Sequence, residues 1–314
     1  MAGKNGSVGR NRQIQVGGVA VALGLAAIAV FAPPVANAGS KLQFFGYAAV
    51  KCQHDDPYDA AVKTDYSDEV AGFTNANHVC LPGDVARWPA FLKQAAAQYD
   101  PVVQLEPLFD FAPGGSGPDS DAARGMWQAF VAAVAASGVP SSRFYFLLAD
   151  EPALHKIPPD QIDRAAAIIH ATFDTDRVML VEAFSFDGAP PISPQIDLWA
   201  FDAYGIRDPG AEPLYSAFLD SARAQMHKDQ RLWIVMDGSY SLNHINGGIT
   251  PEAMADVARA TYRFAMAQPD VAGIITYLWA GGVDPGEKGV RDLPPVVRAA
   301  HEAIGRQILA DLAR

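Results

Sequence analysis

The chain is poor in cysteine and in basic charge, and it lacks the short motifs that mark several enzyme classes. Cys52 and Cys80 are its only cysteines, too few for a zinc module built on repeated Cys pairs. Its seven histidines never fall at His-x-His or His-Glu-x-x-His spacing, so a helix-borne zinc site has no signature here. There is no Gly-x-Ser-x-Gly, which sets aside a serine triad around Ser239, Ser241 and His244. No glycine-rich phosphate loop follows the first apolar run, where Gly46 stands alone. Lys and Arg number 24 against 35 Asp and Glu. That balance argues against a polyanionic partner such as nucleic acid or an anionic membrane face. No internal repeat and no low-complexity linker interrupts the chain.

The amino terminus is the exception to the acidic trend. Lys4, Arg10 and Arg12 precede an apolar segment from Val16 to Ala32, and Ala36-Asn37-Ala38 follows as a small-residue cleavage site. This order predicts a signal peptide over residues 1–38 and a secreted or periplasmic protein. An uncleaved anchor is the rival, since the run approaches the length of a membrane span. Cleavage leaves Gly39–Arg314, one large domain, and removing three basic residues takes the formal charge from −11 to −14. In an exported chain Cys52 and Cys80, each just after an expected strand, are predicted to form a disulfide.

From Lys41 onward apolar runs alternate with helical patterns. Leu42–Val50, Val70–Val79, Pro101–Phe111, Arg143–Ala149, Arg177–Phe184, Asp197–Ala203, Arg231–Met236 and Ala272–Trp279 are the expected strands. Trp127, Phe130, Val131 and Val134 recur at helical spacing, as do Ile162, Ala166, Ile169 and Phe173. Thr250-Pro251 marks a helix start, and Pro294–Leu312 is the expected last helix. Eight strands, each followed by a helix, predict an α/β chain folded as a single-domain (β/α)₈ TIM barrel. An open doubly wound sheet is the alternative. Gly114-Gly115-Ser116-Gly117-Pro118 and Asp208-Pro209-Gly210 are expected as strand-to-helix loops.

In such a barrel the carboxyl ends of the strands converge on one pocket. Arg143–Pro152, RFYFLLADEP, is an apolar strand that ends in two carboxylates and a proline. Other strand ends carry Glu106 and Asp110, Glu182, then Asp202 and Tyr204, then Asp237, Ser239 and Tyr240, then Tyr277 and Trp279. Carboxylates alternating with aromatic rings suit a sugar, which offers hydroxyls to the first and an apolar C–H face to the second. Asn75 and Asn77 on strand two are candidate sugar contacts, with loop capping as their alternative. His54-Asp55-Asp56 with His78 is a candidate metal set, the mark of a metal-dependent hydrolase.

Asp150-Glu151-Pro152 at the end of a fourth strand resembles the Asn-Glu-Pro signature of clan A glycoside hydrolases, which are (β/α)₈ barrels. The resemblance implies Glu151 as acid/base, Asp237 as the strand-seven nucleophile, and Trp279 as a sugar platform. The sequence departs from that pattern at Asp150, where the clan has Asn, and at Asp237, where it normally has Glu. The adjacent Asp-Glu pair is also similar to the substrate-assisted β-N-acetylhexosaminidases, in which the Asp orients an acetamido nucleophile and the Glu protonates the leaving oxygen.

The sequence therefore predicts a secreted, monomeric glycoside hydrolase that needs no cofactor or metal and acts on an oligo- or polysaccharide. Glu151 is the expected general acid/base and Asp150 its partner, with Asp237 as nucleophile or orienting carboxylate. Asp202, Tyr204, Tyr240, Trp279, Asn75 and Glu106 are the expected substrate contacts. A non-catalytic carbohydrate-binding barrel is the competing reading.

Overall fold

A computed structural model describes residues 42–60, 62–111 and 116–314. The expected signal peptide lies outside the described residues, as do Gly114 and Gly115. The remaining chain is a (β/α)₈ TIM barrel of eight parallel strands. They are β1 (Phe44–Tyr47), β2 (Ala76–Cys80), β3 (Asp100–Gln104), β4 (Tyr145–Asp150), β5 (Val178–Ala183), β6 (Leu198–Asp202), β7 (Arg231–Asp237) and β8 (Val271–Tyr277). Each falls within or overlaps an expected strand. Around them run α1 (Ser67–Val70), α2 (Trp88–Ala96), α3 (Asp121–Ser137), α4 (Pro159–Thr172), α5 (Pro213–Arg223), α6 (Leu242–Asn246), α7 (Met254–Ala267) and α8 (Pro295–Leu312). The expected strand-helix alternation fails twice. A loop alone joins β5 to β6, and β7 is followed by two helices. Val70, expected to open strand two, instead closes the short α1.

Period-two alternation divides the strands between two cores. Tyr145, Leu147, Met179, Val181, Trp233 and Val235 pack together inside the barrel. Their neighbours Phe146, Leu148, Leu180, Ile234 and Phe201 face outward, toward Trp127, Phe130 and Ile169 of the helices. Ser120 caps α3 by accepting the Ala123 N–H, and Gly138 ends that helix at φ 70°.

Hydrogen-bonded ladders join all neighbouring strands except β1 and β2. Side chains of β2 and the residue before it bridge that seam. Asn75 Oδ1 accepts the Phe45 N–H at 2.9 Å while its Nδ2 donates to Gln43 O at 2.8 Å. Asn77 Oδ1 accepts the Tyr47 N–H at 2.9 Å while its Nδ2 donates to Thr74 Oγ1 at 2.7 Å. The approach is close: a Cβ on Gly46 would lie 1.3 Å from the Ala76 carbonyl oxygen, so no other residue fits there. Asn75, expected to contact substrate, is thus spent on backbone groups. Cys52 and Cys80 form the expected disulfide beside the seam, with Cα atoms 4.5 Å apart.

Candidate active site

The β4 end shows how backbone geometry aims a side chain. Leu147 pairs with the inward Met179, and strict alternation would then turn Ala149 inward and Asp150 outward. A register shift between Leu147 and Ala149 reverses this, so Ala149 pairs with Leu180 and Asp150 with the inward Val181. The bulge re-aims the carboxylate into the barrel mouth. Glu151 then adopts φ 47°, in the left-handed region. A non-glycine residue pays for that conformation in strain, a condition that clusters at functional sites. Both side chains line one cavity of about 580 Å³.

The floor of this cavity is the top of the barrel interior, including Leu147, Met179, Val181, Val235 and Ile275. Five carboxylic acids line it: Asp150, Glu151, Asp202, Asp284 and Glu287, with no Lys or Arg among the lining residues. Asp202, at the inward end of β6, is hydrogen-bonded to Glu151 and accepts from the Tyr204 hydroxyl at 2.9 Å. Burial, then the charge of Glu151, hold its carboxyl well above the ordinary range. Asp150 opens to solvent but is hemmed in by protein atoms. Desolvation, then Glu151 and Glu106, push it up to about 6. Glu182, buried behind the site and accepting the Ala153 N–H at 3.4 Å, is raised to about 7 by burial and then by Glu151 and Asp150. Glu106 lies beyond β3 in a short 3₁₀ turn and accepts the Asp150 N–H at 3.4 Å. Burial raises its carboxyl as well.

Asp237 is nearly buried and fully engaged. One oxygen accepts from Gly205 N and faces His244 Nε2, each at 2.8 Å, and the other meets the Ser239 hydroxyl at 3.5 Å. Asp237 thereby ties the loop after β6, through Gly205, to the segment after β7, through His244, and it does not line the cavity.

The aromatic wall differs from the expected one. Tyr204 lines the cavity. Trp279 does not: it is 4 % exposed, packs on Tyr47 and Phe73, and donates its indole N–H to Glu69 at 2.7 Å. Tyr240 is also turned away, its hydroxyl donating to Ile249 O at 3.1 Å. Tyr277 takes the place expected for them, its ring 5.5 Å from that of Tyr204 and its hydroxyl donating to Glu287 at 3.3 Å. Gln104, at the inward end of β3, reaches the cavity where Glu106 and Asp110 were expected. Its parity with Val102 was readable, whereas the positions of Asp284 and Glu287 depend on how their loop folds back. Cys52, His78 and Cys80 place their donor atoms within 4.8 Å of one another, but the two sulfurs are joined to each other and offer no thiolate to a metal.

No family model and no curated protein matches the chain in sequence. Solved structures do match in fold. A GH2 β-galacturonidase from Eisenbergiella tayi bound to galacturonate superposes with a TM-score of 0.57 at 9 % identity, over 85 % of this chain and 51 % of that one. This chain therefore spans about half the length of that enzyme. Xylanase 10B from Thermotoga maritima gives 0.51 at 12 % identity, covering 87 % and 98 % of the two chains. A GH113 β-1,4-mannanase gives 0.53 at 11 %, covering 84 % and 98 %. These structural neighbours are glycoside hydrolases, and at such identities what they share with this chain is the (β/α)₈ barrel.

Proposed function

We propose that the chain is a glycoside hydrolase in which Glu151 and Asp202 hold the proton delivered to the glycosidic oxygen. The observation that carries this reading is the hydrogen-bonded Glu151–Asp202 carboxyl pair over an apolar floor at the barrel mouth. Two carboxyls in contact do not both ionise near neutrality, so the pair keeps a transferable proton. Asp150 is anionic above about pH 6 and supplies negative charge beside the carbon that becomes positive as the bond breaks. Asp237, held by His244 and Gly205 and absent from the cavity lining, acts on the loops beside the site and is not placed as a nucleophile. Tyr204 and Tyr277 offer the apolar wall against which a sugar ring packs.

The acidic lining also bears on the substrate. With five carboxylic acids and no Lys or Arg among the described residues that line the cavity, a uronate would meet repulsion, which favours a neutral sugar. The export and the monomeric state expected from the sequence remain part of this proposal.

The test is hydrolysis of a panel of aryl and natural glycosides, uronides and N-acetylhexosaminides included, by wild type and by Glu151→Gln. The variant keeps the shape but its amide cannot pass on the pair's proton, so turnover of unactivated glycosides should fall by about 10²–10⁴ while binding persists. Equal cleavage by the two proteins would remove Glu151 from the chemistry. A wild type that binds a glycan and cleaves nothing on the panel would be a carbohydrate-binding barrel instead.

A further inference from the structure

A second cavity, of about 420 Å³, adjoins the first on the β5–β6 side and shares Glu151, Asp202, Tyr204 and Asn243 with it. The carboxyl pair therefore stands between two compartments. The first lies over the barrel axis, where the ring of the cleaved sugar has a floor. The second has a different chemistry. Its remaining lining is mainly Ala183, Phe184, Phe186, Ala203, Ile206 and Leu214. The one other polar side chain there, Glu212, accepts the Leu214 N–H at 3.2 Å as the cap of α5. Phe186 is 80 % exposed and Leu214 49 %, with the Phe184 and Phe186 rings 5.4 Å apart, edge to face. Large apolar side chains are thus presented to solvent beside the reacting groups.

We propose that this second cavity is the leaving-group subsite and that it accepts an aryl or alkyl aglycone. This rests on the reading of Glu151 and Asp202 as proton donor, because it is their position between the cavities that sets the bond to be broken. A further sugar fits poorly. Its hydroxyls would give up hydrogen bonds to water and find few polar partners beyond the shared residues. An apolar group gains from covering Phe186 and Leu214 and loses nothing of that kind.

The experiment compares octyl and methyl glycosides of one sugar that the wild type cleaves. Their leaving alcohols are chemically alike, so the difference in kcat/KM reports binding of the chain. Wild type should favour the octyl glycoside by at least about tenfold, given several methylenes removed from water. In Phe186→Ala/Leu214→Ala the octyl-to-methyl ratio should fall toward one, with the thermal midpoint showing that the fold is retained. An unchanged ratio overturns the subsite while leaving the hydrolase reading intact. A larger gain from adding a sugar than from adding the octyl chain overturns the apolar assignment. If the wild type cleaves nothing, calorimetric titration with octyl and methyl β-D-glucopyranoside, below the micelle concentration, separates the two ideas. An octyl preference that the double variant loses supports the cavity without the chemistry, and its absence overturns both.

Discussion

Asp150 and Glu151 are adjacent in the chain, yet they reach the cavity by different means, one through a bulge and the other through a left-handed backbone. Their closeness to Asp202 and Glu182 has consequences for pH. As pH falls through about 6, Asp150 gains a proton and its stabilising charge is lost. As pH rises through about 8, Asp202 loses the proton that would be delivered. A plot of kcat/KM against pH should therefore be bell-shaped, and Asp150→Asn should lower the rate and abolish the acid limb. Persistence of that limb in the variant would assign it to another group. Glu182 affects stability rather than rate. Its folded pKa, about 7, lies above the ordinary 4.5, so the folded state keeps a proton that the unfolded chain gives up. Stability from this group is intact below pH 4 and lost as pH rises through 7. Glu182→Gln should match wild type in unfolding free energy from urea denaturation near pH 4 and exceed it by about 1–3 kcal/mol near pH 8. An equal difference at both pH values would show that ionisation is not the cause.

At the scale of elements, the weak point is the junction of β1 and β2. Seven strand pairs carry backbone ladders, whereas this junction has only scattered backbone bonds, such as Asn75 N–H to Phe45 O and Val50 N–H to His78 O, and is completed by the side chains of Asn75 and Asn77 and the room left at Gly46. Asn77 is fully buried, so Asn77→Ala leaves the Tyr47 N–H without its acceptor and Thr74 Oγ1 without its donor. The expected loss is about 2–3 kcal/mol in urea denaturation, the cost of a buried unsatisfied donor plus lost packing. A change below about 0.5 kcal/mol would mean that the seam is held without this side chain. The same need explains why two asparagines sit on and just before β2, where the sequence invited a ligand role: an amide presents both an acceptor and donors to a neighbouring backbone.

Across the whole molecule, the Cys52–Cys80 bridge holds the loop after β1 to the end of β2, next to the same seam and on the rim of the cavity. It closes 28 residues of sequence separation, and the loop-entropy estimate for that length is about 3–4 kcal/mol. Purified exported protein should show no free thiol by mass spectrometry, and reduction should lower the thermal midpoint. Two free thiols in oxidised material would contradict the pairing.

Much of the barrel was legible because its physics is local. Apolar runs bounded by turn residues mark strands, period two tells which side chains face the axis, and acids after an apolar run mark a strand end. Those patterns sufficed for the eight strands and for placing Asp150, Glu151 and Asp202 at strand ends on one mouth, but not for the direction in which Asp150 points. What lies past a strand's last residue obeys no such period. Trp279 and Tyr277 are two residues apart and equally aromatic, yet Trp279 is drawn away from the axis into the outer core, where its indole N–H donates to Glu69, 210 residues away in sequence, while Tyr277 faces the cavity. The β4 bulge likewise depends on the partner strand β5. The sequence by itself determined the barrel and the set of acids at its rim. Only the tertiary structure decided which acids and rings meet, because loop conformation is set by partners distant in the chain.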